Sequence, residues 1–344
     1  MVQNPEKTKT IDIFIKSLNR AYYLDRCLSS IKKNISGNYN ITVLDDGTPE
    51  KYLKKIQEKF SDIILSTSPR YDEKIRLTEK GKEVDGFHIP AKFWKASVEE
   101  GSEYFIMLED DVWFTKMLNL DEIVLECKKN DIQLLKLGWL GNHREDKFLE
   151  TEPLSPLIEK TIPKNIFLPP KKIIEYIFYN RYKLSSILYR LKQIDNETQN
   201  RYWALNSISM GLYRKEYWLK IWEGIENTVD EKRQLVNAAA FYRKHKNNSC
   251  FVCRLTQEYL KTTFQSSATN SYHMYETRFD VNVFNHTLNE AWFKGKLEAM
   301  ENYPKDFSSH YMESFLNEKT EATEWKKWRE IFKKQYADLG CEVN

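Results

Sequence analysis

Between Ile11 and Phe114 the chain switches repeatedly between two hydrophobic periods, and this restricts the folds open to it. Short apolar runs at Ile11–Lys16, Ile41–Leu44, Ile63–Ser66 and Tyr104–Leu108 have the length of buried strands. Between them, apolar residues fall three and four apart, as in Tyr23, Leu24, Cys27, Leu28 and Ile31, the spacing of one helix face. Helices are expected over Tyr22–Asn34, Glu50–Phe60 and Pro90–Glu100. This alternation predicts an α/β fold, Rossmann-like, with a mostly parallel sheet flanked by helices on both faces.

In such sheets ligands sit beyond the carboxyl ends of the strands. Three strand ends here carry polar clusters: Lys16-Ser17-Leu18-Asn19-Arg20, Asp45-Asp46 and Glu109-Asp110-Asp111. All three can face one crevice. Adjacent carboxylates repel one another, and oxygen ligands suit Mn2+ or Mg2+, so a divalent cation is the expected resident of the third cluster. No GxGxxG follows the first strand and no GxxxxGK[ST] occurs, which argues against dinucleotide oxidoreductases and P-loop enzymes.

The second half is read more coarsely. A strand is expected within Ile132–Trp139, then an insertion over Leu154–Asn196 with one or two helices. Strand-like Ala204–Tyr213, a helix over Asp230–His245 with Asp230 at its start, a strand at Ser249–Cys253, and helices at Glu290–Asn302 and Glu321–Asp338 follow. From Lys160 to Lys192 there are eight Lys or Arg and one acid, Glu175. Mixed with Ile, Phe, Tyr and Leu, these cations would suit an anionic membrane surface. Trp325, Trp328, Phe332 and Tyr336 form one stripe, expected to pack on the domain.

With 344 residues the chain suits one large domain or two modest ones. A net charge of +3 supplies no general field for nucleic acid, and no nucleic-acid partner is expected. No apolar run reaches the ~20 residues of a membrane span. The first ten residues hold no apolar leader, and five scattered cysteines suggest reduced thiols. A cytoplasmic protein is expected, with the inner face of the cell membrane as the surface it would touch. Cys250 and Cys253 form a lone CxxC, read as two small apolar residues of a strand.

The segments IDIFIKSLNRAYYLDRCLSSI, ITVLDDGT and YFIMLEDDVWF resemble the N-terminal half of the GT-A glycosyltransferases, especially the inverting family 2-like enzymes. The resemblance covers Ile11 to Phe114. It implies a GT-A domain whose nucleotide-sugar half spans 1–125. An acceptor-binding half would span 126–290, with the insertion at 155–197, and a helical C-terminal region 291–344. It implies a hexosyltransferase-type enzyme of polysaccharide biosynthesis. A nucleoside-diphosphate sugar, UDP by resemblance, would be the donor, and a glycan or lipid-linked glycan the acceptor. Lys16, Ser17, Leu18 and Asn19 would line the nucleobase pocket, with Arg20 at the diphosphate or base. Asp46, beside Asp45, would hydrogen-bond the base, and Asp110 would meet the ribose or the metal shell. Asp111 would bind the metal, with Glu109 in the same cluster and His273 or His286 as a further ligand. In NTVDEKRQL, Asp230 is the preferred catalytic base and Glu231 the next. In LTQEYLKTTFQSS the family's usual His after Gln is Glu258 here, which weakens metal ligation from that segment. A sugar nucleotidyltransferase, or a non-catalytic nucleotide-sugar-binding protein, are the rival readings.

Overall fold

The structure, a computed structural model, describes residues 10–80, 88–142, 146–207, 210–268, 277–316 and 319–343. The strands are β1 (Ile11–Ser17), β2 (Tyr39–Asp45), β3 (Ile63–Thr67), β4 (Tyr104–Glu109), β5 (Val112–Phe114) and β6 (Leu134–Lys136). They continue with β7 (Leu149–Pro153), β8 (Ile158–Pro163), β9 (Gly211–Arg214), β10 (Val252–Leu255) and β11 (Leu260–Thr262). Nine of them form one sheet in the order β3-β2-β1-β4-β9-β6-β10-β8-β7. Strands β3, β2, β1 and β4 are parallel, β9 runs against both β4 and β6, and β10 is parallel to β6. With β8 antiparallel to β10 and β7, only β8 and β9 oppose the common direction. The expected mostly parallel α/β sheet is therefore present. It runs unbroken across position 125.

The alternation of side chains along the strands builds two cores. Ile13, Ile15, Ile106 and Leu108 face one layer, and Phe14, Leu44, Phe105 and Met107 face the other. The first layer takes α1 (Ala21–Asn34), α2 (Glu50–Lys59) and α5 (Leu120–Lys129). The second takes α4 (Ala91–Glu100), and α3 (Tyr71–Thr78) lies between β3 and α4 in the chain. Three further helices, α6 (Lys171–Phe178), α8 (Lys215–Ile221) and α9 (Glu231–Lys244), add to the second layer, while α7 (Leu184–Arg190) contributes to neither.

The last helices, α10 (Val281–Phe293) and α11 (Lys319–Asp338), return to the first layer. Trp325 and Trp328 are fully buried there, as the aromatic stripe predicted. Trp325 stacks on Phe284 with ring centroids 5.6 Å apart, and its Nε1 donates to the Gln265 carbonyl at 3.0 Å.

Three expectations need correction. The strand expected over Ala204–Tyr213 begins only at Gly211, after a 3-10 turn over Tyr202–Leu205. The segment read as the start of the insertion supplies β8, where Ile158 pairs with Leu255. In IEKTIP only Ile158 and Thr161 are buried, so a strand with little apolar pattern reads as a loop, although β8 is paired on both sides, with β10 and β7. The helix expected at Glu290–Asn302 instead ends at Phe293. Its Asp280 cap accepts from the N–H groups of Asn282 and Val283, and Gly295 at φ 70° closes it. Cys250 and Cys253 are buried thiols, matching the apolar reading, and none of the five cysteines forms a disulfide. No helix among the described residues is long and apolar enough to cross a membrane.

Replacing Trp325 with Ala empties a fully buried indole site and orphans the Gln265 carbonyl. The expected loss is about 3–5 kcal/mol, read from urea unfolding curves.

Candidate active site

The tip of β1 turns sharply into α1. Asn19 adopts φ 53°, a left-handed conformation that Asn tolerates better than most residues. Its N–H donates to Thr48 Oγ1 at 2.8 Å, and Asn289 Nδ2 on α10 donates to its carbonyl and side-chain oxygens at 2.9 and 3.0 Å. This turn drives Arg20 inward, where only 3% of it stays exposed.

Arg20 lands between two carboxylates some ninety residues ahead. Its Nη1 donates to Asp111 Oδ2 at 2.6 Å, and its Nη2 to Asp110 Oδ1. Asp110 Oδ2 accepts the Leu18 N–H at 3.1 Å, and the Asp110 N–H donates to the Lys16 carbonyl at 2.9 Å. Glu109 accepts from Lys16 Nζ at 2.9 Å, and that ammonium lies 4.9 Å from the Trp94 ring. Hence the three consecutive acids are divided. Glu109 meets Lys16, both oxygens of Asp110 are committed, and Asp111 keeps one buried oxygen, Oδ1, with no hydrogen-bond partner. Arg20 is a clamp on the two acids.

The tip of β2 forms a second cluster. Asp45 Oδ1 accepts from the N–H groups of Gly47 at 3.0 Å and Thr48 at 2.7 Å, closing the turn. Gly47 has φ 149°, and a Cβ there would come within 2.7 Å of Lys74 Cβ, so only glycine fits. Asp46 accepts from Ser68 Oγ at 2.5 Å and from the ammonium of Lys74, which also donates to the His88 carbonyl at 2.9 Å. Lys74, buried on α3, carried no signal in the sequence, since it lies in an ordinary polar helix pattern.

Among the described residues at these tips, Asp45, Asp46, Glu109, Asp110 and Asp111 face Lys16, Arg20 and Lys74. Burial raises the Asp45 carboxyl to about 6. It also raises Asp110 and Asp111, each reinforced by neighbouring carboxylates and opposed by Arg20. Four of these acids share three cations, with Arg20 serving both Asp110 and Asp111. With the lone oxygen Asp111 Oδ1, the tips fit a cation held by one carboxylate, water and a ligand's phosphates. No group of three or more His, Cys, Asp or Glu able to hold a metal occurs among the described residues. His286 is half-buried on α10, and His273 lies outside the described residues.

A cleft of about 430 Å3 opens at the same sheet edge. Register fixes this: Gly211 of β9 is level with Met107 of β4 and Lys136 of β6, so the acids, Met210 and Gly138 all extend beyond the same line. Trp139, Trp203, Asn206, Met210, Glu231 and Tyr336 contribute to its walls. Glu258 holds one wall, its Oε1 accepting the N–H groups of Trp139 at 2.5 Å and Gly141 at 3.2 Å. This gives the family-departing residue a structural task. A smaller hollow of about 130 Å3 near Phe251 and Thr161 lies toward the opposite end of the strands.

The two candidate bases part company here. Asp230 is the N-cap of α9, accepting the Arg233 N–H at 2.8 Å, and the Tyr179 hydroxyl donates to it at 3.0 Å. Glu231 lines the cleft. It keeps contact with solvent, yet the surrounding walls raise its carboxyl pKa.

No known family profile matches the sequence, and no curated protein matches it. Solved structures do match in fold. The 1–349 portion of S. aureus TarS in complex with UDP-GlcNAc shares 11% identity, over 89% of this chain and 70% of that one, with a TM-score of 0.41. Mycobacterium tuberculosis glucosyl-3-phosphoglycerate synthase, in complex with Mn2+, UDP and glucosyl-3-phosphoglycerate, shares 10% over 85% and 82%, with a TM-score of 0.37. An active-site mutant of LgtC shares 14% over 71% and 72%, with a TM-score of 0.36. At such identities no residue role is transferred, and the geometry above carries the functional reading.

Replacing Arg20 with Met leaves two buried carboxylates without their cation. The expected destabilisation is about 3–5 kcal/mol near neutral pH. It shrinks as the pH falls, because acids whose folded pKa lies above the unfolded value take up protons in the folded state first. Urea unfolding at several pH values reads both.

Proposed function

We propose that this chain is a metal-dependent glycosyltransferase that moves a sugar from a nucleoside diphosphate to a hydroxyl of a glycan acceptor. The observation that carries this reading is the convergence at one sheet edge. A buried acid cluster with an unpartnered carboxylate oxygen lies at the same edge as an aromatic and amide-lined cleft that holds a carboxylate at its wall. UDP is the nucleotide implied by the sequence resemblance.

In this reading Asp111 would hold Mn2+ or Mg2+, with Arg20 fixing the orientation of its carboxylate beside Asp110. The bound ion supplies neutralisation of the charge that develops on a departing diphosphate. Lys16, Asp46 and the Asn19 turn form the floor for the nucleotide. The cleft receives the acceptor: Trp139, Trp203 and Tyr336 offer flat apolar faces, and Asn206 offers an amide.

Glu231, rather than Asp230, is the base that takes the acceptor hydroxyl proton. Its raised pKa brings it nearer the operating pH, which favours general-base work. Asp230 spends its oxygens on the helix start and on Tyr179. With a base in the acceptor cleft, direct displacement with inversion follows.

Thermal-shift measurements with UDP and UDP-sugars should give stabilisation that requires Mn2+ or Mg2+. Asp111→Asn should abolish the metal requirement while leaving the fold intact. Glu231→Gln should keep the nucleotide shift and lower kcat about 10²- to 10⁴-fold. Asp230→Asn should retain most turnover and weaken the α9 cap by about 1 kcal/mol at most. Full activity in Glu231→Gln would remove the base from this scheme.

A further inference from the structure

Helix α7 poses a packing problem of its own. Leu184, Ile187, Leu188 and Leu191 recur at the spacing of one helix face, yet α7 contains no buried residue. Ile187 is 49% exposed and Leu191 62%. Just before the helix, Tyr182 is 84% exposed, and Tyr189 on α7 is 51% exposed. The preceding helix, α6, is by contrast anchored by buried Ile174, Ile177 and Phe178. An apolar surface of this kind, held out from a firm base, marks an interaction site.

Charge indicates what covers it. From Tyr176 to Ile194 there is no acid, while Arg181, Lys183, Arg190 and Lys192 flank the apolar face. All four are exposed, and none makes an ion pair with a carboxylate among the described residues. A second copy of the chain would bring four cations against four. A surface of anionic headgroups over hydrocarbon answers both features, with cations at the phosphates and Leu, Ile and Tyr side chains at the headgroup boundary.

We infer that the α6–α7 unit docks on an anionic lipid bilayer through the exposed face of α7. The same unit touches the start of the helix whose first residue lines the cleft. The Tyr179 hydroxyl donates to Asp230, which caps α9 immediately before Glu231, and Asn200 and Trp203, downstream of α7, line the cleft. Docking therefore sets the cleft beside the bilayer surface, where a lipid-borne acceptor would be presented. The docking itself does not depend on the transferase reading.

The test uses the full chain and sedimentation with vesicles of phosphatidylcholine alone or with phosphatidylglycerol added. Binding to the anionic vesicles should exceed binding to neutral ones about tenfold or more, and should fall with added salt. Ile187→Glu with Leu191→Glu, and separately Arg190→Glu with Lys192→Glu, should each reduce it about tenfold. Because these side chains are exposed, the melting temperature and any nucleotide-induced shift should stay unchanged, so a lost vesicle interaction is separable from a failed active-site reading. Equal partitioning to both vesicle types, or variants that bind as well as the parent, overturns the inference. So does a dimer dissolved by the Ile187 and Leu191 substitutions, or single-stranded RNA retention without vesicle binding.

Discussion

A buried guanidinium between two adjacent carboxylates is the contact on which the rest of this site depends. Taking Arg20, Asp110 and Asp111 out of water is costly, and only close pairing offsets that cost. The pairing joins the end of β1 to the end of β4, because Asp110 also bonds the backbone at Leu18 and Lys16. The two strand tips are thus fixed as one rigid surface. One carboxylate oxygen, on Asp111, is left without a partner.

Around this clamp the charges are arranged unevenly by design of the fold. Lys74 comes from α3 to meet Asp46, and Lys16 reaches Glu109 beside Trp94. Each lysine answers one acid, while Arg20 is shared between two. Burial and mutual repulsion then hold several carboxyl pKa values high. A site in that state gains from a ligand that places positive charge against the acids.

The second half of the chain completes what the first half begins. Strand β9 runs against its neighbours, which sends the segment before it to the same edge as the acids. Helix α9 starts at that edge, so its cap and its first residue serve different ends. Asp230 stabilises the helix, and Glu231 faces the cleft. The insertion leans on the same helix start through Tyr179, which couples a surface element to the cleft wall.

The sequence by itself determined β1 to β4 with α1, α2 and α4, though not α3 or β5, together with the α/β class, the polar strand tips and the burial of the C-terminal tryptophans. These follow from hydrophobic period and turn chemistry, which act over a few residues. Tertiary structure alone decided which acid Arg20 grips, that Lys74 answers Asp46, that Glu258 props the Trp139 loop, and that Glu231 rather than Asp230 reaches the cleft. It also turned residues 158–163 into a strand paired on both sides, with β10 and β7. Each of these is a pairing between groups far apart in the chain, or a choice between neighbours set by where a helix begins. No local pattern encodes such choices, because their energy comes from desolvation and contacts that exist only once the chain has closed on itself.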